Sequence, residues 1–137
     1  MKFEDLTREV LIDNENGLDG FTKDMGIVVR SIEDTLAVVD MKISEKLQNP
    51  IGSVHGGALF TLADIASGLV ATADGTKATT LDSNIRFVKA VFVEKSQYVR
   101  ATATLKKAGK KVRVVEVDIA DDKGELLCIA TFGFFVL

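Results

Sequence analysis

Hydrophobic and polar residues alternate with a period of two along most of the second half of the chain. Val99, Ala101, Ala103 and Leu105 interleave with polar neighbours, as on a strand with one face on a core. The same reasoning predicts strands over residues 26–31, 35–43, 78–90, 97–105, 112–120 and 126–136. They are punctuated by a polar turn at 32–34 and by short Gly-containing turns at 108–109 and 121–124. The alternation slips at Val114-Val115, which predicts a bulge there or a strand covered on both faces.

The period changes between the second and third strands. From about His55 or Gly56 to Ala73 the chain is apolar without a polar face, Leu59, Phe60, Leu62, Ile65, Leu69 and Val70 being distributed all round a helical wheel. Ala58, Ala63, Ala66, Ser67, Gly68 and Ala71 leave room for close approach of other backbone. A helix apolar on every side is a buried helix, and Asp74-Gly75 supplies its stop. Phe3, Leu6 and Val10 recur at helical spacing, predicting a short amphipathic helix over residues 3–12, ended by the turn-rich stretch 13–20. Two strands, one buried helix and four more strands predict a single α+β domain over residues 1–137, with an antiparallel sheet curled round the helix.

Composition narrows the function. A formal charge of -3 and a pI near 5.2 exclude the dominant basic face of a nucleic-acid binder. One His and one Cys do not make a zinc site of the usual kind, so no metal is expected. Cys128 lies in an apolar run and reads as a buried strand thiol. The charged N-terminus lacks the apolar core of a signal peptide, and the apolar segment 58–73 is short and carries Asp64, so no membrane span is expected. The expected compartment is the cytoplasm.

The candidate chemistry lies in one stretch, NPIGSVHGGALFTLAD, residues 49–64, which holds the only proline and the only histidine. Asp64 is the single charge in the apolar helix. Burying a carboxylate is costly unless it is paired or used, which marks it as functional. Gly56 falls in the first helical turn, where amide N–H groups lack intrahelical acceptors and the dipole end is positive. Gly56-Gly57 equally permits a tight entry into the helix. His55 suits a local hydrogen-bonding role at the helix start, Asn49 a turn before Pro50, and Thr80 a strand. Asp82 reads as structural. Lys106, Lys107, Lys110 and Lys111 surround a hairpin, where such charges commonly protect sheet edges.

Together with TTLDSNIRFVKAV and KKAGKKVRVVEVDIADDKGELLCIATFGFF, the 49–64 stretch resembles the hotdog-fold acyl-CoA thioesterases, and among them the PaaI-like branch. The resemblance spans roughly residues 20–137, and its most specific part is His-Gly-Gly followed by Asp nine positions after the His. That branch commonly has Phe-hydrophobic-x-Pro where this chain reads Phe87-Val88-Lys89-Ala90, so the proline is absent. The resemblance implies a curved antiparallel sheet of about six strands wrapped round one long central helix. It also implies hydrolysis of an acyl-CoA to free acid and CoA, without a cofactor.

In the roles it carries over, Asp64 is nucleophile or general base, the Gly56 N–H stabilises the oxyanion, and Asn49 lies near the carbonyl or the attacking water. His55 orients the thioester or the loop, and the Thr80 hydroxyl supports the carboxylate or a water. Arg86, Lys89, Lys110 and Lys111 are the candidate cations for CoA phosphates. A homo-oligomer is implied, a dimer or a dimer of dimers. Two other readings fit the same fold: an enoyl-thioester hydratase or dehydratase using His55 with a carboxylate, and a non-catalytic acyl-CoA sensor.

Helix geometry adds a constraint. Gly56 and Asp64 are eight residues apart, a rise of roughly 12 Å. One carbonyl group cannot touch both, so if both are catalytic a second copy of the chain supplies one of them.

Overall fold

The computed structural model describes residues 8–12 and 20–137. Two short helices, α1 (Arg8–Leu11) and α2 (Gly20–Asp24), lead into strands β1 (Ile27–Ile32) and β2 (Leu36–Lys42). A single 3-10 turn, Glu45–Leu47, precedes the main helix α3 (Gly56–Ala71). Strands β3 (Ala78–Phe87), β4 (Tyr98–Ala108), β5 (Val112–Asp121) and β6 (Leu126–Val136) follow. The predicted strands and helix appear within a few residues of their expected bounds. Of the helix expected over residues 3–12, residues 3–7 lie outside the described residues. Neither α2 nor the 3-10 turn is among the elements expected from the sequence.

All six strands form one antiparallel sheet in the order β1-β2-β4-β5-β6-β3. Helix α3 lies on its concave face, which is the hotdog arrangement. Leu62, Ala63, Ala66 and Val70 of α3 are buried against Val39 and Met41 of β2, Val99 and Ala101 of β4, Val117 and Ile119 of β5, and Phe132 of β6. Alanine at three helix positions of that face, Ala58, Ala63 and Ala66, lets the backbone settle close to the sheet. Each fully buried Leu or Phe side chain contributes on the order of 2–3 kcal/mol of burial.

The helix is not covered equally all round. Its burial follows the helical period, with residues 58, 59, 62, 63, 66 and 67 buried and residues 60, 61, 64, 65, 68 and 69 half-buried. The less covered side therefore carries Phe60, Ile65 and Leu69 together with Asp64. Strand β3 shares this openness. Among the described residues it pairs only with β6, and eight of its ten residues are exposed. A bulge at Leu81 shifts its register between Thr80 and Asp82.

The expected irregularity at Val114-Val115 has a different origin. Strand β5 alternates regularly, with Arg113, Val115, Val117 and Ile119 inward, and the bulge is opposite it on β4, between Leu105 and Lys107. The sequence looked out of phase because Arg113 is an inward-facing charge. Its guanidinium donates to the Ala71 carbonyl at 2.8 Å, to both Asp74 carboxylate oxygens at 2.9 Å, and to the Thr76 hydroxyl at 3.2 Å. A cation thereby closes the negative end of α3. Gly75, at φ 87°, makes the turn that follows.

Candidate active site

The loop before α3 is organised by its own polar groups. The Asn49 carboxamide oxygen accepts from the Ile51 and Ser53 amides, both at 3.1 Å, and its Nδ2 donates to the Ser53 hydroxyl at 2.6 Å. Gly52 takes the turn at φ 88°. The Leu47 carbonyl accepts from the His55 amide, and the Val91 carbonyl from that of Val54, which fixes the loop to its neighbours.

His55 is the N-cap of α3. Its Nδ1 accepts from the Gly57 amide at 2.9 Å, and its carbonyl accepts from the amides of Ala58 and Leu59. An imidazole accepting at Nδ1 carries its proton on Nε2. The cap thus occupies the Gly57 N–H, whereas the Gly56 N–H has no acceptor among the described residues. Among the N–H groups of this first turn, Gly56's is the one left open at the positive end of the helix.

That open amide borders a cleft of about 330 Å³ lined by Ser53, Val54, Gly56, Leu59 and the 87–90 segment. The Phe87 ring lies over Gly56, its nearest atom 3.4 Å from where a Cβ would stand. Lys89 also lines the cleft, and its Nζ pairs with Glu125 at 2.5 Å. Both members of this pair are half exposed, so the ion pair adds little stability.

Asp64 lies farther along α3, on the side facing β3. Its Oδ1 accepts a hydrogen bond from the Thr80 hydroxyl at 2.6 Å. A helix apolar on every side predicts a buried carboxylate; within one chain Asp64 is instead half-buried, on the less covered side of the helix. It does not line the Gly56 cleft. The chain therefore brings Asp64 to Thr80, and His55 and Asn49 to the Gly56 loop, while the two groups stay apart along one helix.

The cations separate as well. Arg86 is on the exposed outer side of β3, its alternation placing it opposite to Phe87. Lys110 and Lys111 stand in the β4–β5 turn, beside the C-terminal end of β6 and hence at the far end of α3 from Gly56. Only Lys89 of the four reaches the cleft within one chain. Burial pushes the Cys128 thiol up to about 11, so it stays protonated and is no nucleophile at neutral pH. Among the described residues no group of His, Cys, Asp or Glu is arranged to hold a metal, and no helix is long and apolar enough to cross a membrane.

Comparison with known proteins places this geometry. The 1,4-dihydroxy-2-naphthoyl-CoA hydrolase of Listeria monocytogenes is 32% identical over 81% of this chain and 90% of its own. The acyl-coenzyme A thioesterase PaaI of Escherichia coli is 29% identical over 81% of this chain and 78% of its own, and its structure superposes with a TM-score of 0.82, covering 87% of this chain and 85% of that one. A hypothetical thioesterase from Streptococcus pneumoniae, solved with coenzyme A, is 33% identical with a TM-score of 0.76, covering 81% and 85% of the two chains. Residues 51–128, which contain the cleft glycine, Asp64 and Thr80, match the Thioesterase superfamily. The chain belongs to the Thioesterase superfamily, with a hotdog fold of the PaaI type.

Proposed function

We propose that this protein hydrolyses an acyl-CoA to the free carboxylic acid and CoA, at sites shared between two copies of the chain. The observation that carries the reading is the open Gly56 N–H at the positive end of α3, bordering a cleft with Lys89 at its rim. A thioester carbonyl seated there accepts from that N–H, which stabilises the negative charge as the carbonyl carbon becomes tetrahedral. Asp64 of the partner subunit attacks the carbon or takes a proton from the attacking water. The C–S bond then breaks and CoA leaves as the thiolate, which takes up a proton. Where Asp64 is the nucleophile, water afterwards opens the acyl-aspartyl anhydride to release the acid and restore the carboxylate.

Several features support a shared site. Gly56 and Asp64 are too far apart on one helix to meet at one carbonyl. The edge strand β3 and the Asp64 side of α3 are the parts of the core left uncovered in a single chain. A two-fold axis beside β3 covers both and carries each Asp64 toward the other subunit's Gly56. A dimer of dimers is the proposed larger assembly, the cytoplasm the proposed compartment, and residues 1–137 the proposed single domain.

In this scheme Thr80 orients the Asp64 carboxylate, Asn49 shapes the loop that walls the cleft, and His55 caps the helix. Lys89 meets the CoA phosphates from the same subunit, and Lys110 and Lys111 do so from the other. The capping role of His55 weighs against a hydratase, because Nδ1 is already occupied. The coenzyme A in the Streptococcus relative and the substrate of the Listeria relative are consistent with a CoA thioester. The deciding experiment offers the purified protein a panel of aromatic and aliphatic acyl-CoAs with a thiol-detecting reagent. Release of free CoA is expected. Binding without thiol release would identify a sensor, and loss of enoyl absorbance without thiol release a hydratase.

A further inference from the structure

Lys89 is the cation at the cleft, yet in the free chain its ammonium already has a partner. Its Nζ pairs with the Glu125 carboxylate at 2.5 Å. The two residues come from different elements, Lys89 just after β3 and Glu125 just before β6. The Leu127 carbonyl accepts from the Val88 amide at 2.8 Å and from the Lys89 amide at 3.3 Å, so the backbone of the pair is fixed where the strands part. Glu125 itself does not line the cleft.

The turn that carries Glu125 is held from several sides. The Asp121 carboxylate accepts from the Lys123 and Glu125 amides, both at 2.9 Å, and the Asp121 amide donates to the Glu125 carbonyl at 2.9 Å. Gly124 takes the bend at φ 85°. The Asp122 carboxylate accepts from the Gln97 amide at 2.8 Å, while Lys123 Nζ donates to the Lys95 carbonyl at 2.8 Å and stands 3.5 Å from Asp122. Asp121 and Asp122 are therefore engaged by amides, and Lys123 by the neighbouring loop. Arg86 and Asp118 flank Ile129 on the outer face of the sheet, where their opposite charges offset. Glu125 is the carboxylate of this turn that meets the cleft cation.

An ammonium in contact with a carboxylate is a poorer partner for phosphate on two counts. One of its three donors is taken, and a like charge stands beside the incoming anion. Both side chains are half exposed, and such a pair is worth at most about fivefold in an equilibrium constant. It holds Lys89 part of the time and yields to a more highly charged group.

We propose that Glu125 is the positioning residue of Lys89 and sets affinity for the CoA moiety: it occupies Lys89 in the free protein, releases it to CoA phosphate, and takes it back as CoA leaves. The inference rests on the CoA-thioester reading of the cleft and adds a residue that reading does not use. Glu125 acts on binding through Lys89 and leaves the chemical step alone. A thioester without phosphates makes no demand on Lys89 and is indifferent to Glu125.

Isothermal titration of CoA into wild type and Glu125→Gln tests it. The substitution keeps the shape and removes the charge. It should tighten CoA about three- to fivefold, because apparent affinity rises with the fraction of Lys89 that is free to bind. KM for an acyl-CoA should fall in step with kcat unchanged, and KM for the same acyl group on pantetheine should not move. Glu33→Gln makes the same charge change on the β1–β2 turn, beside Asp34, which Arg8 ties to the Ala73 carbonyl past the far end of α3. It should bind CoA as the wild type does. The proposal is overturned if Glu125→Gln binds CoA no tighter than wild type, if Glu33→Gln tightens it equally, or if pantetheine thioesters gain as much as CoA thioesters. CoA binding without thiol release would refute hydrolysis and still report on Glu125. Thiol release with no effect of Glu125→Gln would leave hydrolysis standing and remove Glu125.

Discussion

The Thr80 hydroxyl donates to the Asp64 carboxylate at 2.6 Å, joining the edge strand β3 to the main helix. The Leu81 bulge stands immediately after Thr80 and resets the strand's register, so the contact sits where β3 changes phase. A carboxylate held by one donor keeps its second oxygen for chemistry.

Removing that donor should lower activity without unfolding the chain. Thr80→Val keeps the shape of the side chain, and kcat should drop about tenfold through loss of one hydrogen bond to a charged group. Asp64→Asn should lower kcat by roughly 10²–10⁴ as the base or nucleophile is lost. Steady-state kinetics beside circular dichroism of the folded variants checks both. Wild-type turnover in folded Asp64→Asn would remove this residue from the mechanism.

Gly56→Ala separates chemistry from stability. The added methyl meets the Phe87 ring at 3.4 Å, an ordinary contact, and a helix prefers Ala to Gly. Tm should therefore hold or rise slightly. The methyl nevertheless occupies the cleft beside the open N–H, so kcat/KM should fall at least about tenfold. A variant as active as the wild type would mean that the thioester oxygen does not sit there.

Subunit exchange tests the shared site. In a heterodimer of Gly56→Ala with Asp64→Asn, one site carries both defects and the other carries neither. Random exchange of equal amounts should restore about a quarter of wild-type activity. Native mass spectrometry reports whether heterodimers formed. If they form and activity stays at parental levels, both residues act from one subunit.

The Arg113 closure of α3 gives a pH signature. Its guanidinium hydrogen-bonds the Asp74 carboxylate and lowers that pKa to about 2. Because the folded value is depressed, the ion pair's stabilisation is present above the unfolded value near 4 and is lost as pH falls from about 4 to 2. Asp74 is half exposed, so solvent screening limits the effect to about 1 kcal/mol. Urea unfolding of wild type and Asp74→Asn should differ by that amount at pH 7 and converge near pH 2. A constant difference across this range would assign the effect to something other than the ion pair.

The elements were legible in the sequence where periodicity was unambiguous, as in the strict alternation of β4 and the apolar run of α3, which lacks a polar face. What lay beyond reach depended on partners distant in sequence. Arg113 resembled a phase error because its acceptor, the Ala71 carbonyl, is 42 residues away. The pairing of Asp40 with Arg100 left no local sign, since the two are 60 residues apart and the carboxylate is covered only after β2 and β4 pair. At the candidate site, His55, Gly56, Asp64 and Thr80 were all singled out. That His55 caps Gly57 and leaves Gly56 open needed atomic geometry. The self-bonding of Asn49, by contrast, was foreshadowed by the turn-forming Pro50 and Gly52.

The strand order also sets a schedule. β3 emerges from the ribosome before β4, β5 and β6, yet its only strand partner among the described residues is β6, the last of them. Until residues 126–136 exist, β3 has no ladder to join, and Thr80 has no frame to hold it against Asp64. Closing that long loop comes late, after the local β4–β5 and β5–β6 hairpins, because distant contacts must overcome more chain entropy. The Asp64 carboxylate is thus among the last parts of the molecule to acquire its surroundings. A nascent chain stalled before β6 would carry the whole 49–64 stretch and no assembled candidate site.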